Sequence, residues 1–181
     1  YCWTKNAFPT GTHGRFKNGF EPVYHFTKGE VKNITFNALA CGTPVSEETK
    51  SRAFRKNCKT PTNGSGMVVD RDNFKNLELA RPSNVINANN VTNQFTSKME
   101  HSAVFPEKLA EFFVKSFSNE GDTVLDLFAG SGTVGVVCEE LNRNYILIDK
   151  EETNIQLIKK RVEEKRKEKD FTQNSLFGDG M

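Results

Sequence analysis

Two apolar runs with a helical pattern between them lie in the last third of the chain. Residues 123–128 (TVLDLF) have the length and composition of a buried strand, and residues 145–148 (YILI) form a second run of this kind. Between them, the small-residue turn 129–133 (AGSGT) leads into helical spacing from 134 to 141. This order predicts strand, glycine-rich turn, helix and strand, with Asp149 directly after the second strand.

This arrangement is typical of a binding site for a nucleotide-like cofactor. Glycines allow the backbone to turn tightly and to approach a ligand closely. The helix that begins after them offers N–H groups and the positive end of its dipole to an anionic group. A carboxylate at the end of the second strand accepts hydrogen bonds from ribose hydroxyls, which makes Asp149 the candidate for that role.

Two further helices are predicted, one on each side of this unit. Pro106 suits the first position of a helix, and the chain breaks at residues 119–121. Between them apolar residues recur at helical spacing, which we interpret as a core-facing stripe: Leu109, Phe112, Phe113, Val114 and Phe117. Residues 153–169 form the other helix, with a charged, solvated end, and residues 170–181 form a flexible tail.

The first hundred residues have a different composition. Two β-prone runs, 1–5 and 21–27, are joined by a long loop rich in Gly, Asn and Pro, which predicts a hairpin. Residues 29–100 contain much Asn, Thr, Ser and Lys and only short apolar islands, which predicts irregular, turn-rich chain. Five basic residues there surround Phe54: Lys50, Arg52, Arg55, Lys56 and Lys59. They suit phosphate contacts with base stacking, and a solvated loop is an equally good interpretation of this segment alone.

The charge distribution is uneven. The net charge is +2, but residues 1–100 carry 14 Lys and Arg against 8 Asp and Glu, and residues 101–181 carry 11 against 15. A basic half joined to an acidic half indicates that the first half meets a polyanion. A solvated surface is the alternative.

Composition indicates neither a membrane segment nor a metal site. No apolar run approaches the ~20 residues that a membrane helix needs. The four cysteines, Cys2, Cys41, Cys58 and Cys138, form no CxxC pair and have no metal-ligand spacing with the histidines. We interpret them as free thiols in a reducing cytoplasm, with a metal site as the minor alternative.

The glycine-rich turn has characteristic neighbours. The segment HSAVFP (101–106) lies upstream, the turn reads DLFAGSGT (126–133), and Asp149 follows. With the opening YCWTKNAFP and RFKNGFEPVYHFTKG, these motifs resemble the β-group amino-DNA methyltransferases, which methylate adenine N6 or cytosine N4. The resemblance covers residues 1–28 and about 84–162.

The resemblance implies a Rossmann-like α/β sheet of the class I methyltransferases. It assigns residues 1–28 to a hairpin of that sheet, 29–100 to target recognition and 101–169 to S-adenosylmethionine binding. It places ten residues against S-adenosylmethionine: His101, Ala103, Phe105, Asp126, Phe128, Gly130, Ser131, Gly132, Thr133 and Asp149. Ser131 and Thr133 would hold the methionine part, Asp149 the ribose, and Phe128 would lie near the adenine or the sulfonium. A core position for Phe128 is the alternative.

One family motif is absent, so the resemblance offers no catalytic residue. That motif is an acidic or polar residue followed by Pro-Pro and an aromatic, and no Pro-Pro occurs in these 181 residues. We therefore expect part of a longer protein, with an incomplete sheet and open edges, that is inactive alone. The expected protein is a site-specific DNA methyltransferase acting on double-stranded DNA. It would belong to a restriction-modification, phage or epigenetic modification system in a prokaryotic cytoplasm, at the nucleoid.

Other interpretations remain open. A dinucleotide-dependent oxidoreductase would explain the turn, but GSGT lacks the GxGxxG spacing and residues 101–106 have no role there. A non-catalytic DNA-binding fragment, or one half of a split methyltransferase, would explain the missing motif. Finally, QNSLF (173–177) resembles the peptide with which bacterial proteins bind the replication sliding clamp. Packing of Leu176 and Phe177 on the domain is the favoured alternative.

Overall fold

The computed structural model describes residues 1–4, 19–48, 78–88 and 104–177. In these ranges the α-helices are α1 (Glu107–Phe117), α2 (Thr133–Glu140) and α3 (Glu152–Phe177). The strands there are β1 (Cys2–Thr4), β2 (Glu21–Pro22), β3 (Thr43–Pro44), β4 (Leu79–Ala80), β5 (Val85–Asn87), β6 (Thr123–Asp126) and β7 (Asn144–Leu147). The chain forms two compact units, one of Tyr1–Asn37 with Ser83–Met181 and one of Ala38–Pro82.

The strand–helix–strand unit has the predicted form. β6 and β7 pair in parallel, with Leu125 opposite Ile146, and α2 connects them. Two backbone hydrogen bonds of 2.9 Å extend the pairing, from Ala129 N to Ile148 O and from Ile148 N to Asp126 O. Because the strands are parallel, the glycine-rich turn and Asp149 lie at the same, carboxyl edge.

α1 buries the predicted apolar stripe on two sides. Its first side packs on β1 and β5 in a cluster of buried residues: Trp3, Ile86, Ala88 and Leu109. Its second side packs on α2 in another cluster: Ala110, Val114, Val137 and Cys138. α2 then packs on α3 in a third: Ala129, Val136, Ile158 and Val162. α2, which begins at the glycine-rich turn, thus packs against a core on both of its flanks, and Ala129 of the turn belongs to the core shared with α3.

Cys138 is fully buried in α2. Burial raises the pKa of its thiol to about 11, so the thiol is protonated at neutral pH. Cys2 and Cys138 are free thiols, and Cys58 lies outside the described residues.

The opening hairpin has a strand partner that the sequence did not reveal. β1 pairs antiparallel with β2, as predicted, and also parallel with β5, which lies in the segment expected to be irregular. The Trp3 ring is buried, and its Nε1–H donates to Ala88 O at 2.7 Å, which holds β1 beside β5. A strand of three residues offers too little alternation to be recognised from its pattern.

α3 is longer than predicted. The flexible tail expected from residue 170 is wrong for 170–177, because the helix continues to Phe177. Ion pairs hold its charged part against α2: Arg166 to Glu139 at 3.0 Å and Lys165 to Glu140 at 3.1 Å. Once that part is ordered, each further residue adds a helical hydrogen bond at little cost, and no Gly or Pro intervenes before Gly178. Residues 178–181 lie outside the described residues.

The sheet is incomplete in the described ranges, as expected. The strands there form three separate sheets, in the orders β2-β1-β5, β3-β4 and β6-β7. One face of the β6–β7 pair exposes apolar side chains: Leu125, Leu127, Ile146 and Ile148. The part of the chain that the structure describes is therefore mixed α/β, and within it the sheet has an open edge and one uncovered face.

The second unit, Ala38–Pro82, lies within the segment predicted for target recognition. Its β3 and β4 are antiparallel, with Thr43 opposite Ala80. The five basic residues predicted to contact DNA lie outside the described residues: Lys50, Arg52, Arg55, Lys56 and Lys59. In the described part of the chain no helix has the length and apolarity that crossing a membrane requires.

Candidate cofactor-binding site

The turn after β6 is shaped by its own backbone and by Asp126. The Oδ1 atom of Asp126 accepts a hydrogen bond from Phe128 N–H at 3.0 Å, which starts the turn. Gly130 and Gly132 have φ angles of +50° and +79°, in the left-handed region. Gly132 N–H then closes the turn on Ala129 O at 2.7 Å. A residue with a side chain would be strained at either position, which explains why glycine occupies both.

Asp149 holds this turn from the end of β7. Its Oδ2 atom accepts a hydrogen bond from Gly130 N–H at 2.8 Å. Its Oδ1 atom accepts two more at 2.9 Å, from Glu151 N–H and from Nδ2 of Asn154. The carboxylate predicted to bind ribose hydroxyls therefore also positions the turn, so both properties depend on one side chain.

α2 begins directly below the turn, with Gly132 as its N-cap residue. Among the described residues no side chain caps this helix. Because the first N–H groups of a helix lack intrahelical partners and lie at its positive end, they form a site for an anionic group. Ser131 and Thr133 are buried, and their hydroxyls lie 3.2 Å apart in a mutual hydrogen bond. One of the two hydroxyls donates in this bond, so the O–H of the other remains available as a donor beside the first backbone amides of α2.

The two predicted aromatic residues differ in environment. Phe128 is 88% exposed, so the core alternative is wrong and its ring is open to stacking on a planar ligand. Phe105 is half-buried and packs against two core clusters beside α1. His101 and Ala103 lie outside the described residues. The structure thus brings seven of the ten predicted residues to one edge: Asp126, Phe128, Gly130, Ser131, Gly132, Thr133 and Asp149.

One face of α3 supports the turn, which the sequence did not predict. Asn154, Ile158 and Arg161 lie at positions i, i+4 and i+7 of this face. Asn154 binds Asp149, and Nη1 of Arg161 donates to Ser131 O at 2.6 Å. Ile158 lies directly beneath Gly132, where a Cβ atom would meet its Cγ1 at 3.0 Å. The signal was the helical spacing of two polar residues with Ile158, but spacing does not identify their partners.

Asn154 is unusual because it is a buried polar residue, only 5% exposed. Its Nδ2 binds Asp149, whereas its Oδ1 has no hydrogen-bond partner among the described residues. An unsatisfied buried carbonyl costs stability, on the order of 1–3 kcal/mol. The bond to Asp149 is the visible compensation for this cost.

A polar pocket lies at the opposite, amino edge of the strands, where β7 begins. Its charged groups serve the fold. Arg166 pairs with Glu139, whose pKa it lowers by hydrogen bonding, and Arg143 donates to Ser118 O at 3.0 Å. Lys169 donates to Glu139 O at 2.7 Å, near the carbonyl end of α2. Since ligands of parallel sheets bind at the carboxyl ends, we assign this pocket a structural role.

Known proteins match this chain over most of its length. A family model described as DNA methylase, N6_N4_Mtase, matches residues 1–160. The type II methyltransferase M.HpaI of Haemophilus parainfluenzae is 41% identical over 88 residues, 49% of this chain and 28% of that protein. The orphan methyltransferase M.BamHII of Bacillus amyloliquefaciens is 33% identical over 153 residues, 80% of this chain and 54% of that protein.

Among solved structures, the M1.HpyAVI–SAM complex is 35% identical and covers 49% of this chain and 41% of that chain, with a TM-score of 0.39. The chain spans about half the length of M.BamHII and less of M.HpaI.

Proposed function

Because this chain belongs to the N6/N4 DNA methylase family, we propose that it carries the methyl-donor site of a site-specific DNA methyltransferase. The methyl acceptor is an exocyclic amino group of a base in double-stranded DNA, either N6 of adenine or N4 of cytosine. The cofactor is S-adenosylmethionine. One observation carries the proposal: the glycine-rich turn, the start of α2 and the Asp149 carboxylate form one hydrogen-bonded unit at the carboxyl edge of β6 and β7. The setting is a restriction-modification, phage or epigenetic modification system.

The residues of this unit bind and orient the methyl donor. S-adenosylmethionine supplies a methyl group on a positively charged sulfonium. Asp149 accepts hydrogen bonds from the ribose hydroxyls, and Phe128 provides an exposed ring beside the adenine or the sulfonium. The open amides at the start of α2 suit the donor's carboxylate. These contacts act by positioning, because an exocyclic amine is a weak nucleophile that must meet the methyl group in line.

The target base must leave the DNA duplex to reach the donor. The chain has no Pro-Pro pair to receive it, so the 181 residues alone bind the donor without transferring the methyl group. The alternative is a non-catalytic DNA-binding fragment, and a split enzyme is a third possibility. A methylation assay discriminates between them when it compares the chain alone with the chain plus a polypeptide that carries the Pro-Pro motif. Transfer by the chain alone would contradict its inactivity.

The cofactor assignment is tested by titration calorimetry. The chain should bind S-adenosylmethionine and its demethylated product and should not bind NAD, since the turn lacks the spacing of a dinucleotide site. NAD binding without S-adenosylmethionine binding would establish the oxidoreductase instead. S-adenosylmethionine and NAD both contain an adenosine group. A difference between their affinities therefore reports on the rest of each ligand.

DNA recognition belongs to residues 29–100, with the basic residues around Phe54 contacting phosphates. Charge reversal at Arg55 and Lys56 should weaken DNA binding and reduce the slope of log affinity against log salt by about 2, near 0.9 for each lost phosphate contact. The matched control reverses Lys159 and Lys160, two exposed lysines of α3, with the same change in net charge. An unaltered slope, or an equal change in the control, would contradict direct contact.

The location in the cell depends on this function, and one protein partner is proposed independently of it. A position at the nucleoid of a prokaryotic cytoplasm suits a DNA substrate and the bacterial origin of the relatives M.HpaI and M.BamHII. The sliding-clamp peptide, Gln173–Phe177, lies in the last turns of α3, with a helical backbone. Clamp binding through it is a separate proposal, which a pull-down insensitive to Phe177→Ala would contradict.

A further inference from the structure

Arg161 joins the two chain segments on either side of the candidate donor site. Its Nη1 donates to Ser131 O of the glycine-rich turn at 2.6 Å, and its Nη2 pairs with Oε1 of Glu107 at 3.0 Å. Glu107 is the first residue of α1, directly after Phe105 and Pro106. The Arg161 side chain is 23% exposed, so most of it is held within the domain. A single side chain of α3 therefore connects the turn with the segment that enters α1.

The bond to Ser131 acts on the geometry of the turn. The carbonyl of Ser131 and the N–H of Gly132 belong to one planar trans peptide group and point in opposite directions. When Arg161 holds the carbonyl, it also orients the N–H that closes the turn on Ala129 O at 2.7 Å. That peptide group leads directly into Gly132, the N-cap residue of α2, so it influences where the open amides of the helix lie.

We propose that Arg161 is a positioning residue of the methyl-donor site. Its planar guanidinium sets the separation between the glycine-rich turn and the segment at Phe105–Glu107, and so orders both for S-adenosylmethionine. This inference rests on the proposed function. Arginine suits the role because its donors form a rigid fork that reaches a carbonyl and a carboxylate together. The ammonium group of a lysine is a single point charge and cannot span the two partners in the same way.

The test compares S-adenosylmethionine affinity with stability in two variants, Arg161→Gln and Arg166→Gln. Arg166 lies further along the same helix and forms a forked pair with Glu139, with both contacts at 3.0 Å, at the opposite edge of the sheet. Removal of Arg161 should weaken S-adenosylmethionine binding about tenfold or more, by calorimetry. Removal of Arg166 should lower the urea midpoint to a similar degree and leave the affinity within about twofold of the wild type.

Three partial variants separate the contacts of Arg161. Arg161→Lys keeps the charge but not the fork and should bind with intermediate affinity. Glu107→Gln keeps an acceptor oxygen for Nη2, so both contacts of the guanidinium are retained and the affinity should change little. The charge exchange Glu107→Arg with Arg161→Glu restores an ion pair, but glutamate cannot donate to Ser131 O, so it should not restore affinity.

The outcomes are distinct. If the wild type does not bind S-adenosylmethionine, the proposed function is wrong, and the role of Arg161, which depends on that function, is overturned with it. If the wild type binds and Arg161→Gln binds equally well, the positioning role is overturned. The positioning role is also overturned if both Gln variants lose affinity in proportion to their loss of stability. That result would indicate that destabilisation of the whole domain, and not a specific contact, weakens binding. Should Arg161→Gln not fold, Arg161→Lys decides, and wild-type affinity in that variant overturns the proposal.

Discussion

Replacement of Gly132 by alanine is expected to lower the free energy of unfolding by about 2–5 kcal/mol. Two effects add. The φ angle of +79° is in the left-handed region, where a Cβ atom costs about 1–2 kcal/mol. The new Cβ would also lie 3.0 Å from Cγ1 and 3.3 Å from Cα of Ile158, and overpacking against backbone costs about 1–3 kcal/mol. Urea unfolding monitored by circular dichroism measures the change.

Gly121→Ala is the matched control. Its φ angle of +83° is nearly the same, but nothing lies within 4 Å of its Cβ position. Its free energy of unfolding should therefore fall only by the cost of the left-handed backbone conformation, about 1–2 kcal/mol. The difference between the two variants isolates the contact of the turn with α3. Equal losses would show that Ile158 moves freely and does not support the turn.

Replacement of Asp149 by alanine is expected to weaken S-adenosylmethionine binding by about 1–3 kcal/mol, roughly 5- to 150-fold. The carboxylate is predicted to accept the ribose hydroxyls, and it also holds Gly130 N–H at 2.8 Å and Nδ2 of Asn154 at 2.9 Å. Its loss removes a ligand contact and releases the turn. Titration calorimetry below the unfolding temperature of the variant measures the effect.

Asp122→Ala provides the control for this prediction. Asp122 Oδ2 accepts a hydrogen bond from Asn119 N–H at 2.8 Å, so it holds a turn in the same manner, but at the amino edge of β6. Its removal should lower stability and leave donor affinity unchanged. If both variants lose affinity to the same degree, or if Asp149→Ala retains it, Asp149 is not part of the donor site.

Short-range patterns gave correct predictions around the glycine-rich turn. β6, α2 and β7 lie where the two apolar runs and the helical spacing placed them, and α1 begins directly after Pro106. Such elements depend on interactions between residues a few positions apart, so a single segment contains the information. The turn itself depends on the φ angles of Gly130 and Gly132 and on one local bond from Phe128 N–H to Asp126.

Burial was harder to predict than periodicity. An apolar residue in an apolar run was equally compatible with the core and with a ligand, and only the structure shows Phe128 to be 88% exposed. α3 illustrates the same difficulty for charge. Its charged residues were interpreted as solvated, but several find partners on α2, and the helix continues to Phe177. Whether a side chain meets solvent depends on elements that lie elsewhere in the chain.

The sequence by itself indicated the class of protein, through the resemblance of its motifs to the β-group methyltransferases, and it predicted where the donor site lies, because the turn, its strands and Asp149 follow one another within 28 residues. Only the tertiary structure decided which residues support that site. Arg161 meets Ser131 from 30 positions away, and Trp3 meets Ala88 from 85. Contacts of this kind are set by how whole helices and strands pack together. A carbonyl that accepts a hydrogen bond from a distant arginine leaves no pattern in the sequence, because every residue has that carbonyl.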